Sequence, residues 1–190
     1  MNSFAMPKRL DPNDMAAHHI VLIGLMGSGK STIGRQLAAA LERPFVDTDI
    51  EIEKSQLKTI PQIFHESGEE GFRNVEEEVL VEQLTRPDDS VLATGGGIVE
   101  REVNRNRLHN HHVVWLRAEV ETLAQRVEKR PHDRPLLGDD PRGRLFQLNA
   151  SRSPLYAEVA RLVVDVDGRS TESIVDSIVA NAFPISQEGQ

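Results

Sequence analysis

Short apolar runs alternate along the chain with longer segments in which apolar residues recur every three or four positions. The runs have the length of buried strands and lie at 19–25, 44–49, 90–94, 113–116 and 162–166. Between the fourth and fifth strands, for example, Val120, Leu123, Ala124 and Val127 repeat with the period of a helix. Strands that alternate with helices in this way predict an α/β fold, in which a parallel sheet is covered by helices on both faces.

Helices are predicted in the segments between these strands, at 30–42, 50–56, 69–85, 101–110, 120–128, 145–159 and 171–182. Thr59 and Pro61 predict the start of a further short helix, and Ser67-Gly68 predicts its end. Pro154 predicts a kink or a break inside the helix at 145–159, because proline cannot donate a backbone hydrogen bond.

Length, charge and composition narrow the class of protein. A chain of 190 residues is long enough for one domain with a full core, predicted at 19–183. The formal net charge of −8 disfavours binding to nucleic acid or to an anionic membrane, and no apolar run has the roughly 18 residues of a membrane span. The absence of cysteine excludes disulfides. These features are compatible with a protein of the cytoplasm, and we expect a monomer, although none of them determines the oligomeric state.

Three segments depart from the strand and helix pattern. Residues 1–18 contain two prolines and no apolar core of a signal peptide, which predicts a loose extension. Residues 129–143 are rich in proline, glycine and charge, and a loop of this length inside a domain is usually functional. Residues 184–190 are predicted to be a tail.

The first strand and the first predicted helix are joined by Gly24-Leu25-Met26-Gly27-Ser28-Gly29-Lys30-Ser31-Thr32. This spacing between a strand and a helix is typical of a phosphate-binding loop, whose glycines let backbone N–H groups converge on phosphate oxygens. Lys30 can reach the β- and γ-phosphates, and the Ser31 hydroxyl can bind Mg²⁺. An ordinary glycine-rich turn is the alternative that the flanking elements disfavour. The loop alone leaves open whether water or a small molecule accepts the γ-phosphoryl group.

Two aspartates and three glycines follow other predicted strands. Asp47 and Asp49 lie two residues apart on the strand at 44–49, so both should project to the same side and could orient a metal and bind substrate hydroxyls. The alternative is that one of them only caps the next helix. Gly95-Gly96-Gly97 ends the strand at 90–94 and could expose backbone N–H groups to a ligand, although a flexible turn is the alternative.

Three arginines adjoin features that already point to a site. Arg73 has Glu76 three residues later on a predicted helix, where the carboxylate can hold the guanidinium group. Arg134 lies in the loop at 129–143, and Arg152 comes two residues before Pro154. Guanidinium groups suit a carboxylate substrate and a transferring phosphoryl group, whereas a solvated surface position is the alternative for each.

Taken in order, these motifs resemble the shikimate kinases over about residues 19–183. They are the phosphate loop, Asp47-Thr48-Asp49, Phe72-Arg73, Gly95-Gly96-Gly97, Arg134-Pro135-Leu136 and Arg152-Ser153-Pro154-Leu155-Tyr156. The resemblance implies a P-loop kinase fold with a five-stranded parallel sheet ordered 2-3-1-4-5 and a mobile lid. It also implies ATP and Mg²⁺ as cofactors and transfer of the γ-phosphoryl group to the 3-hydroxyl of shikimate, in the chorismate route to aromatic amino acids.

The resemblance further implies a role for individual residues. The residues implied to bind the nucleotide are Gly27, Ser28, Gly29, Lys30, Ser31, Thr32, Arg126 and Arg134. Ser31 would bind Mg²⁺ directly and Asp47 through water. Shikimate would contact Asp49, Arg73, Gly96, Gly97 and Arg152, between walls formed by Phe64 and Phe72 and with Glu76 supporting Arg73. Lys30, Asp49 and Arg134 would be the catalytic residues.

Two other functions remain as alternatives at this stage. A related small-metabolite kinase such as gluconate kinase would share the loop and the fold, but the triple glycine and the Arg73/Glu76 pair argue against it. A nucleotide-binding regulatory protein that has lost its chemistry would not need Lys30, Ser31 and the two aspartates.

Overall fold

The structure is a computed structural model that describes residues 19–128 and 140–182. The predicted extension at 1–18, the tail at 184–190 and most of the predicted lid, including Arg134, lie outside the described residues.

Five parallel strands form one sheet: β1 (Ile20–Ile23), β2 (Phe45–Asp47), β3 (Val91–Ala93), β4 (His112–Arg117) and β5 (Leu162–Asp165). Their order is β2-β3-β1-β4-β5, which confirms the predicted α/β class and strand order. Strand β1 is central, since Ile20 is in register with Val91 on one side and His112 on the other. The phosphate loop therefore leaves the middle of the sheet at its carboxyl edge, where ligands bind in folds of this kind.

Seven helices lie in the described part of the chain: α1 (Lys30–Ala40), α2 (Thr48–Gln56), α3 (Ile60–Leu84), α4 (Glu102–Leu108), α5 (Val120–Glu128), α6 (Pro141–Val159) and α7 (Thr171–Ala182). The predicted bounds of α5 and α7 are confirmed to the residue. In α5 all four apolar residues of the predicted core face are buried.

The core has two layers because successive strand residues point to opposite faces of the sheet. Val21 and Ile23 of β1 pack into one cluster with residues of α3, α4, α5 and α6. Ile20 and Leu22 pack into the other with residues of α1 and α7. A smaller cluster between α2 and α3 holds Ile52 and Phe72, and it supports the part of α3 that faces the carboxyl edge of the sheet.

Strand β2 is shorter than predicted, and the placement of Asp49 on it was wrong. The strand ends at Asp47, whose Oδ1 accepts a hydrogen bond from the Asp49 N–H at 3.2 Å and so caps α2. Capping starts the helix at Thr48 and puts Asp49 in its first turn. Asp47 therefore caps a helix, and it does more than that because its other oxygen accepts from Ser31; both aspartates still lie at the carboxyl end of β2.

Helix α3 contains the break that was predicted at Gly68. Thr59 begins the helix with a capping box that it forms with Gln62. Gly68 has φ 67° and ψ −174°, so the helix is interrupted there before it continues to Leu84. The second part carries Arg73 and Glu76 toward the carboxyl edge of the sheet.

Helix α6 begins four residues earlier than predicted, so residues 141–143 are its first turn and not part of a loop. Asp140 caps it by accepting a hydrogen bond from the Gly143 N–H at 2.9 Å. The helix continues through Pro154, so of the predicted kink or break the break does not occur. Buried residues on both sides of the proline, Arg152 and Tyr156, hold the helix against the core.

Candidate active site

A cleft of about 580 Å³ opens at the carboxyl ends of the central strands. Its walls come from the phosphate loop, β2 and the start of α2, the two parts of α3, the glycines after β3, and side chains of α5, α6 and α7. The predicted site residues that line it are Gly27, Ser28, Gly29, Lys30, Ser31, Thr32, Asp47, Asp49, Arg73, Gly96, Gly97, Arg126 and Arg152. Every predicted site residue except Arg134, which lies outside the described residues, is therefore brought to one cleft.

The phosphate loop has a backbone that only glycine adopts without strain. Gly24, Gly27 and Gly29 have φ values of 137°, 85° and 94°. At Gly24 an added Cβ would also lie 2.6 Å from the Leu116 carbonyl oxygen. Because α1 begins directly after Gly29, the unpaired N–H groups of its first turn face the loop, as an anion site requires.

Lys30 and Ser28 add two polar groups to this loop. The Lys30 ammonium group donates hydrogen bonds to the carbonyl oxygens of Gly24 at 2.8 Å and Leu25 at 3.0 Å, so it is held across the loop. The Ser28 hydroxyl is buried and makes no hydrogen bond within the described residues. Arg126 reaches the loop from α5 and donates to the Gly27 carbonyl oxygen at 3.1 Å. The loop thus fits a polyphosphate, with an arginine at its outer side.

Ser31 and Asp47 lie next to each other at the base of the cleft. The Ser31 hydroxyl donates to Asp47 Oδ2 at 2.6 Å. Both are hard oxygen donors, and Mg²⁺ in nucleotide sites is usually held by one or two such protein groups together with phosphate oxygens. The residues present therefore fit Mg²⁺ bound with a nucleotide. Across 19–128 and 140–182, no group of three or more His, Cys, Asp or Glu side chains is placed to hold a metal by itself.

Asp49 is a buried carboxylate of the cleft whose acidity is weakened by its surroundings. Its burial, and then the negative charges of Asp47 and Glu76, raise its pKa to about 7, while Lys30 acts in the opposite direction. A carboxyl group with a pKa near the working pH is suited to exchange a proton with a substrate hydroxyl.

Two buried arginines face the same part of the cleft. The side chains of Arg73 and Arg152 are 6 % and 2 % exposed. Arg73 Nη1 donates to Glu76 Oε2 at 2.5 Å, which confirms that Glu76 supports this guanidinium group. Burial acts to lower the pKa of Arg73, but the charge and hydrogen bond of Glu76 outweigh it and raise the pKa above its usual value. Guanidinium groups of this kind suit the binding of an anionic acceptor.

Sequence reasoning missed Glu100, which joins these two arginines. Its Oε1 accepts from Nε of Arg152 at 2.8 Å and lies 2.8 Å from Nη2, while its Oε2 lies 3.0 Å from Nη2 of Arg73. Glu100 is 52 residues from Arg152 in sequence, so no local spacing could have indicated the contact.

Tyr156 is a second residue whose contact sequence reasoning missed. Its hydroxyl donates to the Gly96 carbonyl oxygen at 2.5 Å, and burial raises its pKa, so the hydroxyl stays protonated. The motif that contains Tyr156 was noticed, but only the fold shows that it fixes the backbone of Gly96. Arg169 also lines the cleft, and its position just beyond the carboxyl end of β5 was the signal that could have found it.

The triple glycine makes room for charged side chains of the protein as well as for a ligand. A Cβ at Gly97 would lie 2.2 Å from Nη2 and 2.3 Å from Nη1 of Arg73. A Cβ at Gly95 would lie 2.6 Å from Glu76 Oε1 and 3.0 Å from Asp49 Oδ1. Any larger residue at either position would displace the groups that form the acceptor side of the cleft.

One end of the cleft is therefore built for a nucleotide polyphosphate and the other for a small acidic molecule. Phe64 and Phe72 form a stacked apolar wall at the second end, with ring centroids 4.5 Å apart. A phosphate loop on the central strand of this sheet, beside a pocket that carries a buried carboxyl group of raised pKa and two buried arginines, defines a P-loop kinase of small metabolites.

Comparison with known proteins identifies which kinase family this is. The sequence model of the shikimate kinase family matches residues 26–182. The chain is 49 % identical over 164 residues to the shikimate kinase of Symbiobacterium thermophilum, covering 85 % of this chain and 94 % of that protein. It is 51 % identical over 162 residues to that of Thioalkalivibrio sulfidiphilus, covering 84 % of each. The chain belongs to the shikimate kinase family.

Solved structures agree with this assignment. The shikimate kinase of Acinetobacter baumannii in complex with shikimate matches with a TM-score of 0.83 and 41 % identity, over 86 % of this chain and 92 % of that one. A gluconokinase from Sinorhizobium meliloti matches with a TM-score of 0.59 but only 20 % identity, over 87 % and 91 % of the two chains, and shares the fold alone.

The family fixes the reaction and the cofactors. The reaction is the ATP-dependent phosphorylation of the 3-hydroxyl of shikimate, in aromatic amino acid biosynthesis, and it uses Mg²⁺.

None of the helices in the described ranges is long and apolar enough to cross a membrane.

Proposed function

We propose that the cleft carries out this transfer with the residues that the sequence singled out, each in a definite role. The observation that carries the proposal is the meeting, in one cleft, of the phosphate loop, a carboxyl group whose pKa is raised to about 7, and two buried arginines. The phosphate loop supplies the nucleotide end, and the other groups supply the acceptor end.

At the nucleotide end, the loop from Gly27 to Thr32 holds the phosphates through backbone N–H groups, and Lys30 binds the β- and γ-phosphates. Ser31 and Asp47 hold Mg²⁺, which neutralises phosphate charge when it is bound. Arg126, which contacts the loop at Gly27, packs against the adenine. We assign Arg134 and the part of the predicted loop that precedes α6, residues 129–140, by resemblance only, to a lid that covers the phosphates and keeps water from acting as the acceptor.

At the acceptor end, Arg73 and Arg152 bind the carboxylate of shikimate, and the backbone of Gly96 and Gly97 contacts its ring. Asp49 binds the hydroxyl groups and accepts the proton of the 3-hydroxyl. That oxygen forms a bond to the γ-phosphorus while the bond from phosphorus to the β–γ bridging oxygen breaks, and ADP leaves. Lys30 and Arg134 stabilise the negative charge of the transferring group.

Two variants test these roles because they should change different kinetic constants. Asp49→Asn keeps the shape of the side chain but cannot act as a base, so kcat should fall by roughly 10²- to 10⁴-fold. Arg152→Ala removes a carboxylate contact, so the KM for shikimate should rise while the KM for ATP stays the same. Asp88→Asn, an exposed aspartate in the turn before β3, is the matched control. Unchanged phosphorylation of shikimate by Asp49→Asn would refute the assigned base.

We further propose that residues 19–183 act as one domain, in the cytoplasm, as a monomer without nucleic acid or membrane partners. The net charge of −8 supports the last point. Light scattering coupled to size-exclusion chromatography tests the oligomeric state: a mass near 21.2 kDa is expected, and twice that mass would contradict a monomer.

A further inference from the structure

We infer that Glu100 is a positioning residue that sets the spacing and orientation of Arg73 and Arg152 for an acceptor carboxylate. The inference rests on the proposed function of these arginines as a carboxylate clamp. It assigns a role to a residue that neither touches the reacting atoms nor belongs to a motif identified in the sequence.

The contacts of Glu100 leave part of each guanidinium group available to the cleft. Glu100 occupies the Nε and Nη2 edge of Arg152 and Nη2 of Arg73. Nη1 of Arg152 is buried and makes no hydrogen bond within the described residues, and it lies near Gly96, which lines the cleft. Nε and Nη2 of Arg73 are likewise buried and have no hydrogen-bond partner among those residues, since the contact of Nη2 with Glu100 at 3.0 Å is an ion pair without hydrogen-bond geometry. The remaining donors are therefore ready for a second carboxylate.

A competing interpretation is that Glu100 occupies the acceptor position and must leave before shikimate binds. Two observations argue against it. Among the described residues, those that line the cleft include both arginines but not Glu100. The Glu100 backbone is also held in place, because its N–H donates to the Gly97 carbonyl oxygen at 2.9 Å and its own carbonyl accepts from Arg105 at 3.2 Å.

Neighbouring contacts fix the same segment to two helices. Arg105 of α4 also donates to the Val99 carbonyl oxygen at 2.8 Å. Arg101 donates to Glu77 at 3.0 Å and to Asn74 at 2.7 Å, and both of these lie on α3 beside Arg73. Glu100 thus reaches the clamp from a segment that is anchored on both sides, as expected for a fixed support.

The charges of the two arginines explain why the carboxylate of Glu100 is needed. Arg73 has Glu76 as a second partner, whereas the ion pair that the structure gives Arg152 in the described ranges is the one to Glu100. Without that carboxylate, two buried guanidinium groups would repel each other, and Arg152 would be left without its ion pair in an almost fully buried position. Arg152 would then turn away from the orientation that the acceptor needs.

Glu100→Gln tests this, because it keeps the side-chain shape and removes the charge. We expect the KM for shikimate to rise about tenfold, with kcat and the KM for ATP within about twofold of the unmodified protein. Glu100→Asp should restore part of the loss. Glu102→Gln, which removes the same charge from an exposed position two residues away, is the matched control and should change nothing.

The methyl ester of shikimate separates positioning from a general structural effect. The ester lacks the charge that the clamp binds, so Glu100→Gln should lower kcat/KM for shikimate far more than for the ester. An equal loss on both acceptors, an unchanged KM, or a lower KM for shikimate would each overturn the inference.

Arg152→Ala in the same series tests whether the two arginines bind the acceptor carboxylate at all. If it raises the KM and Glu100→Gln does not, only the positioning role fails, whereas no effect of Arg152→Ala refutes the clamp.

Discussion

Replacing Gly97 by alanine should damage the acceptor site although the change adds a single methyl group. The three atoms nearest to the added Cβ all belong to the guanidinium group of Arg73, at 2.2, 2.3 and 2.4 Å. The guanidinium group must move by roughly 1.5 Å to restore ordinary van der Waals contact. Backbone strain is not the reason, because Gly97 is not among the glycines with positive φ.

The magnitude follows from the contacts that this movement disturbs. Arg73 donates a hydrogen bond to Glu76 at 2.5 Å and forms an ion pair with Glu100 at 3.0 Å, and a hydrogen bond to a charged group contributes roughly 1.5 to 3 kcal/mol. We expect the free energy of unfolding to fall by about 2 to 4 kcal/mol, since some of these contacts can re-form. The KM for shikimate should rise at least about tenfold, which corresponds to about 1.4 kcal/mol.

A double-mutant cycle with Arg73→Ala identifies the clash as the cause. In the Arg73→Ala background the methyl group meets no guanidinium, so Gly97→Ala should cost less than about 1 kcal/mol of unfolding free energy in urea titrations. Arg73→Ala by itself should weaken shikimate binding by roughly 2 to 5 kcal/mol. If Gly97→Ala costs the same in both backgrounds, the reasoning from the Arg73 contact is refuted.

Three further predictions concern the metal, pH and a helix cap. Asp47→Asn removes a negative charge, so the Mg²⁺ concentration for half-maximal activity should rise about tenfold. Asparagine is also a good helix cap, so the free energy of unfolding should stay within about 0.5 kcal/mol of its original value. An unchanged Mg²⁺ concentration for half-maximal activity would contradict the metal role. Burial lowers the pKa of His19 below 6.5, so the unfolded chain binds a proton at this residue more tightly than the folded protein does. The free energy of unfolding should therefore fall as the pH drops through 6.5. His19→Gln should lessen that fall in urea titrations, and an identical pH profile would contradict it. Thr59→Ala removes the capping box with Gln62 and should lower the free energy of unfolding by about 1 kcal/mol without changing either KM; no loss in thermal unfolding would count against the cap.

The parts of the fold that follow from local patterns could be predicted from the sequence. The bounds of α5 and α7 and the break at Gly68 depend on residues within one or two helical turns. The phosphate loop was equally clear because its glycines, Lys30 and Ser31 are consecutive and lie between a strand and a helix. The position of Asp49 was wrong because capping by Asp47 competes with strand continuation, and periodicity alone does not show which of them prevails.

The acceptor side of the cleft depends on contacts between residues that are distant in the sequence. Fewer of its features could therefore be predicted from the sequence. The Arg73/Glu76 pair was found because its members lie three residues apart on a helix. Glu100 was missed because its partner Arg152 is 52 residues away and meets it only when α6 packs beside the segment after β3. For the same reason the glycines at 95–97 were interpreted as backbone for a ligand, and the side chains that need the space were not foreseen.

The most direct test of the central claim is the release of ADP from MgATP with shikimate, measured beside gluconate and beside no acceptor. We expect turnover that depends on shikimate, with release near background in the other two reactions. ADP release at the same rate whichever acceptor is present would contradict it, because the phosphate loop would then act without the acceptor site described above.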